Sequence, residues 1–222
     1  MKIYEIINPS DINTSTVDDW ADNYGGIKNY NSEKLEKVLD FITTHCDVLP
    51  IMQKNNTFLY RGIGGISNRP VIFHGLTPIS RLSIWASPYG QQLLDHIFEL
   101  NNFPALRKNS ICTTSKVEMS FGATYLIFPL TGFNFTWSAR IKDIGSNSNL
   151  YWELKDFNDS RRIDAITRDE AKKFVDKWEF FGNKHFDMAL RIGNEIIING
   201  QYIAISGSLY GEAARKYFGI TD

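Results

Sequence analysis

The chain has 222 residues, 43% apolar and 22% charged, which is enough to bury a core and excludes a disordered polypeptide. Its 24 Lys and Arg against 25 Asp and Glu leave a formal charge of -1, excluding nucleic-acid binding through bulk positive charge. Cys46 and Cys112 are too few for a disulfide scaffold, and no apolar run reaches the ~18 residues of a spanning helix, so free thiols, a cytoplasmic chain and no membrane contact are expected.

In chain order, residues 1–50 read as an N-terminal lead-in of one expected domain spanning 1–222. Glu5 and Asp11 interrupt its start, so no secretory leader is expected. Gly25-Gly26 and several Asn and Asp make its first 30 residues polar and turn-rich, ahead of a helical part. Ser32 stands as an N-cap, and Leu35, Val38, Leu39 and Ile42 recur at helical spacing, predicting a helix over 33–46 that Pro50 ends. Thr57–Arg61 is short, aromatic and β-prone, and stops at Gly62, Gly64 and Gly65. Val71–His74 predicts a second strand. Ser87-Pro88 opens a helix whose buried stripe is Leu93, Leu94, Ile97 and Phe98.

Ser110–Ser115 is a further strand, followed by a short helix carrying Met119, Phe121 and Tyr125. Leu126–Phe128, Phe133–Trp137 and Leu150–Leu154 read as strands between Pro, Gly and Asn turns. Thr167–Glu170 is a capping box that heads a helix with Ala171, Phe174, Val175 and Trp178 on one face. Glu195–Ile198, then Asn199-Gly200, then Gln201–Ile205 is the strongest local signal, a hairpin closed by a type I′ turn. Helices early, strands late and no regular βα alternation predict an α+β fold with antiparallel sheets.

Several familiar chemical signatures are missing. There is no G-x-S-x-G elbow, Walker loop, H-E-x-x-H or C-x-x-C. His45, His74, His96 and His185 are scattered, so no metal is expected. Gly62-Ile63-Gly64-Gly65-Ile66-Ser67 begins like a dinucleotide fingerprint but lacks its third glycine and its helix. Arg61 against those glycines is more informative, because a guanidinium there forks onto a phosphate while bare backbone approaches a ligand. Trp137, Trp152 and Trp178 read as core or rim packing, and Arg107-Lys108 and Arg161-Arg162 as solvated charge.

Three separated features form one constellation. Tyr60-Arg61-Gly62 ends one strand, Thr113-Thr114-Ser115 ends another, and Glu195 heads an apolar third. Singly they read as a surface charge, a strand-end cap and a solvated acid. Together they resemble the Arg–Ser/Thr-x-Ser–Glu pattern of mono-ADP-ribosyltransferases of the cholera- and clostridial-toxin class. The likeness covers residues 57–206 as islands in the right order.

The resemblance implies an ADP-ribosyltransferase-like fold: two short, mostly antiparallel sheets forming an NAD cleft, with N-terminal and peripheral helices. It implies that Arg61 holds the phosphates and ribose of NAD+ and that Gly62 offers backbone to the nicotinamide amide. Thr113, Thr114 and Ser115 take the three hydroxyl positions, Phe121 stacks on nicotinamide, and Glu195 is the catalytic carboxylate. Two departures matter. Thr113 replaces Ser, and Gly193, two residues before Glu195, replaces the Gln or Glu of many members, which weakens the case for Arg-directed transfer. The long stretch from Ser115 to Glu195 implies an insertion over 140–185. Nearby, Glu179 and Asp187 rank below Glu195 because neither heads a strand.

The chemistry suits these residue types. Breaking the nicotinamide–ribose bond builds positive charge on the sugar, which a carboxylate stabilises while hydroxyls orient it and a guanidinium holds the pyrophosphate. The expected activity is transfer of ADP-ribose from NAD+ to a protein side chain rather than to nucleic acid. An effector, toxin or phage-borne modifier acting in the cytosol of the producing or a target cell fits such a chain. Two other classes stand beside it: an NAD glycohydrolase that transfers to water, and a non-catalytic structural or interaction protein such as a virion component.

Overall fold

The computed structural model describes residues 32–63, 71–74, 88–104, 110–114, 123–160 and 162–221. Among them are seven α-helices: α1 (Ser32–His45), α2 (Leu49–Lys54), α3 (Pro88–Leu100), α4 (Ser148–Ser160), α5 (Arg168–Lys177), α6 (Phe186–Ile192) and α7 (Gly207–Phe218). The strands are β1 (Leu59–Ile63), β2 (Val71–His74), β3 (Ser110–Cys112), β4 (Ala123–Pro129), β5 (Asn134–Ser138), β6 (Phe180–Gly182), β7 (Ile196–Asn199) and β8 (Tyr202–Ser206). They pair antiparallel in two four-stranded sheets, β1-β4-β8-β2 and β3-β7-β5-β6. The chain is therefore α+β, with helices interleaved through its second half rather than confined to its first.

Most predicted elements form near their expected bounds, and four differ. Pro50 sits in the first turn of α2, where its missing N–H costs nothing, instead of closing α1. Tyr125 belongs to β4, paired with Arg61 and Ser206, and not to a helix; Met119 and Phe121 lie outside the described residues.

The predicted strand Leu150–Leu154 lies in the N-terminal half of α4. Leu150 and Leu154 are fully buried at i, i+4 spacing, and the Asn147 carboxamide oxygen caps the helix by accepting from the Leu150 N–H at 2.8 Å. Leu150, Trp152 and Leu154 fit period 2 and Leu150 with Leu154 fits the helical period, and the cap decides between them.

The largest correction concerns the hairpin. β7 and β8 do not pair; they lie in different sheets. Asn199 lacks the positive φ that a type I′ turn needs, and Gly200 at φ 143° instead lets the chain pass between sheets. A Cβ on Gly200 would sit 2.8 Å from Phe133 Cβ, which leaves room only for glycine. The link between β4 and β5 makes the same crossing alongside, and the Leu130 N–H donates to the Gln201 carbonyl at 2.9 Å. Long-range partners on both sides of each strand outweigh the local turn preference.

β7 explains the packing. Ile196 and Ile198 point into the main core, whereas Ile197 enters a second core. A strand covered on both faces reads as an unbroken Ile-Ile-Ile run. The main core also holds a Phe58–Phe128–Phe218 ring cluster with centroids 5.2–6.5 Å apart, joining the first sheet to α7. The second core is built by α3, α4, α5 and β6, so residues 140–185 supply much of its apolar surface.

Thr136 shares the β7-facing register with Ile197, and its hydroxyl is buried without a hydrogen-bond partner among the described residues. Burying an unpaired hydroxyl costs stability that an isosteric methyl does not. Thr136→Val is expected to raise the urea midpoint, a gain of up to about 1 kcal/mol. A clear loss of stability would mean that the hydroxyl has a partner in solution.

Candidate active site

β1 and β3 are edge strands of their respective sheets. One antiparallel bridge joins them: the Tyr60 N–H donates to the Thr113 carbonyl at 2.7 Å, and the Thr113 N–H returns to the Tyr60 carbonyl at 3.0 Å. Because β3 pairs with β7, the strands β1, β3 and β7 run side by side across the junction. The register sets Tyr60 opposite Thr113, with Arg61 the next residue along β1. Arg61 and Glu195, 134 residues apart in sequence by their numbers, thus lie on or beside strands of one junction.

Arg61 is half-buried on β1 beside Gly62, and its Nη1 donates to the Tyr202 hydroxyl at 3.3 Å. Among the described residues it forms no ion pair, and its hydrogen-bond partner there is the neutral Tyr202 hydroxyl. Thr113 is buried at the end of β3, and Thr114 is half-buried next to it.

Glu195 immediately precedes β7 and is half-buried. Its N–H donates to the Lys142 carbonyl at 2.9 Å, and its Oε2 accepts the Ile144 N–H at 2.7 Å. Continuing the β3–β7 register by one residue from Cys112–Ile196 sets Glu195 opposite Thr113.

Cys112 reports on the seam electrostatically. Burial pushes its thiol up to about 12, while the Arg61 charge lowers it and the Glu195 charge raises it. Both charges therefore reach one buried sulfur at the strand junction.

Gly193 closes α6 in the left-handed region at φ 80°, and a Cβ there would meet Thr114 Oγ1 at 3.1 Å. Backbone geometry and the Thr114 hydroxyl thus favour glycine at this position.

Of the residues singled out from sequence, Arg61 and Gly62 lie on β1, Thr113 and Thr114 follow β3, and Glu195 precedes β7, on or beside three neighbouring strands. Ser115 and Phe121 lie outside the described residues. Asp187 is engaged with Arg191 at 3.1 Å on the surface of α6, and Glu179 is exposed in the left-handed turn before β6. Arg162 pairs with Asp164 at the surface.

Sequence reasoning missed Tyr202 as the partner of Arg61 and the 142–144 backbone as the holder of Glu195. The first is 141 residues away and the second uses only backbone atoms, which leave no side-chain signature. Among the described residues no group of three or more His, Cys, Asp or Glu is arranged to hold a metal, and no helix is long and apolar enough to cross a membrane.

Cys46 and Cys112 are both free and buried, each pushed from 9.0 up to about 12 by desolvation. Between those values the unfolded thiol has lost its proton while the folded thiol keeps it, so stability falls as pH rises from about 9 toward 12. We expect Ellman's reagent to find no reactive thiol in the native protein at pH 8 and both after unfolding. Rapid native labelling would place a thiol at the surface.

No family model, curated protein or solved structure matches the chain.

Proposed function

We propose that the chain is a mono-ADP-ribosyltransferase that moves ADP-ribose from NAD+ to a macromolecular acceptor, a protein side chain in preference to nucleic acid, and releases nicotinamide. On this reading the two sheets frame an NAD cleft in an ADP-ribosyltransferase-like fold. The observation that carries it is the adjacency of β1, β3 and β7, the strands that bear or adjoin Arg61, the Thr113-Thr114 pair and Glu195.

Each group has a task that its surroundings suit. Arg61, met only by a neutral hydroxyl among the described residues, clamps the pyrophosphate. Gly62 adjoins it with no side chain to obstruct the nicotinamide amide. Thr113 and Thr114 offer hydroxyls to the ribose. Glu195 takes the ribose 2′-hydroxyl and stabilises positive charge as it develops at C1′. The C1′–nitrogen bond breaks with its electron pair leaving on nicotinamide. The acceptor's nucleophile forms the new bond to C1′ and gives up its proton, so no side chain of this protein needs to act as nucleophile.

Gly193 favours one second reading. The glycine supplies no side chain to engage an acceptor at that position, and water as acceptor gives an NAD glycohydrolase.

Purified protein incubated with labelled NAD+ separates the classes. Label on a macromolecule supports transfer, free ADP-ribose supports hydrolysis, and unchanged NAD+ supports a structural or interaction protein. Glu195→Gln is expected to lower turnover at least a hundredfold with the fold intact; full turnover would remove Glu195 from the role. Arg61→Ala is expected to weaken NAD+ binding about ten- to a hundredfold in calorimetry. Unchanged affinity would remove the phosphate clamp.

A further inference from the structure

We infer that Ser138 and Asn194 are positioning residues for the Glu195 carboxylate, an inference that rests on the transferase reading above. The pairing of β5 with β7 ends at Trp137–Ile196, and one more step would set Ser138 opposite Glu195. The Glu195 N–H instead finds the Lys142 carbonyl at 2.9 Å. Residues 139–141 are thus thrown out as a corner, and the chain returns at Lys142 to meet the acid.

Two side chains hold that corner. Ser138 is buried, and its hydroxyl donates to the Trp178 carbonyl at 2.7 Å and accepts the Arg140 and Ile141 N–H groups, each at 3.1 Å. One donor and two acceptor sites are all that a hydroxyl has, so it is fully used. Asn194 is also buried, and its Nδ2 donates to the Ser138 carbonyl at 2.8 Å.

The corner ends on the acid. Two residues past Lys142, the Ile144 N–H donates to Glu195 Oε2 at 2.7 Å. Backbone and carboxylate of Glu195 are therefore gripped by the same short loop, and that loop is anchored by Ser138 and by the residue adjoining Glu195. An ordinary strand end needs its N–H groups capped. It does not need its loop to return and fix the rotamer of an acid on the next strand. With one carboxylate oxygen held by an immobile N–H, the acid meets its substrate preorganised, and loosening it by about 1 Å costs on the order of a hundredfold in rate.

The test compares wild type, Ser138→Ala, Asn194→Ala and Ser138→Thr for NAD+ consumption and for hydrogen exchange at the Ile144 amide. Both alanine variants are expected to lose ten- to a hundredfold in kcat with KM for NAD+ changed less than about twofold. Ile144 exchange is expected to accelerate while amides of the β1–β4 ladder stay protected. Ser138→Thr, which keeps the hydroxyl, is expected to restore both readouts.

Unchanged kcat in both alanine variants overturns the inference, as does equal loss in Ser138→Thr with protection lost throughout, which marks a purely structural residue. Wild type that consumes no NAD+ overturns the activity beneath it. Ile144 exchange in Asn194→Ala then decides alone whether Asn194 positions the carboxylate: acceleration supports it and an unchanged rate overturns it.

Discussion

Two backbone hydrogen bonds between Tyr60 and Thr113 connect the edge strands of the two sheets. Each edge strand would otherwise present unpaired N–H and C=O groups at the junction. Closing that gap sets β1 against β3 and, through β3, against β7. Arg61 lies in the middle of β1, and Thr113 and Glu195 adjoin the ends of β3 and β7, so the geometry of the candidate site follows from where the two sheets touch. Cys112, buried beside that contact, is influenced by both the Arg61 and the Glu195 charge.

β7 completes the arrangement from the other side. Its three isoleucines divide between the two cores, so the strand is held from above and below. Residues 140–185, expected from sequence to be an insertion, contribute α4, α5 and β6, and also the loop that grips Glu195. Their packing and the setting of the acid are therefore coupled. Ser138 illustrates the coupling: its hydroxyl reaches the Trp178 carbonyl beyond α5 while its own carbonyl accepts from Asn194 beside Glu195.

Much of this was legible in the residues. The Thr167–Glu170 capping box forms with both reciprocal bonds, and the apolar stripes of α1, α3 and α5 face the cores as their spacing predicts. Arg61, the threonine pair and Glu195 were identifiable because each is a chemically distinct residue at the edge of a β-prone run. The pairing of β7 and β8 was misread because Asn199-Gly200 carries a strong local turn preference, whereas the competing partners β3, β5, β4 and β2 come from remote parts of the chain. α4 was misread because Leu150 and Leu154 fit both periods until Asn147 is recognised as a cap.

What the sequence by itself determined is the α+β class, the apolar faces and the chemical identity of the groups at the seam. These depend on side-chain type and short-range periodicity, which are written residue by residue. Only the tertiary structure decided that β7 and β8 part company, that Arg61 rests on Tyr202, and that Glu195 is held by backbone from a corner fifty residues earlier. Backbone N–H and C=O groups are the same at nearly every position, so which of them meet is set by how the whole chain packs.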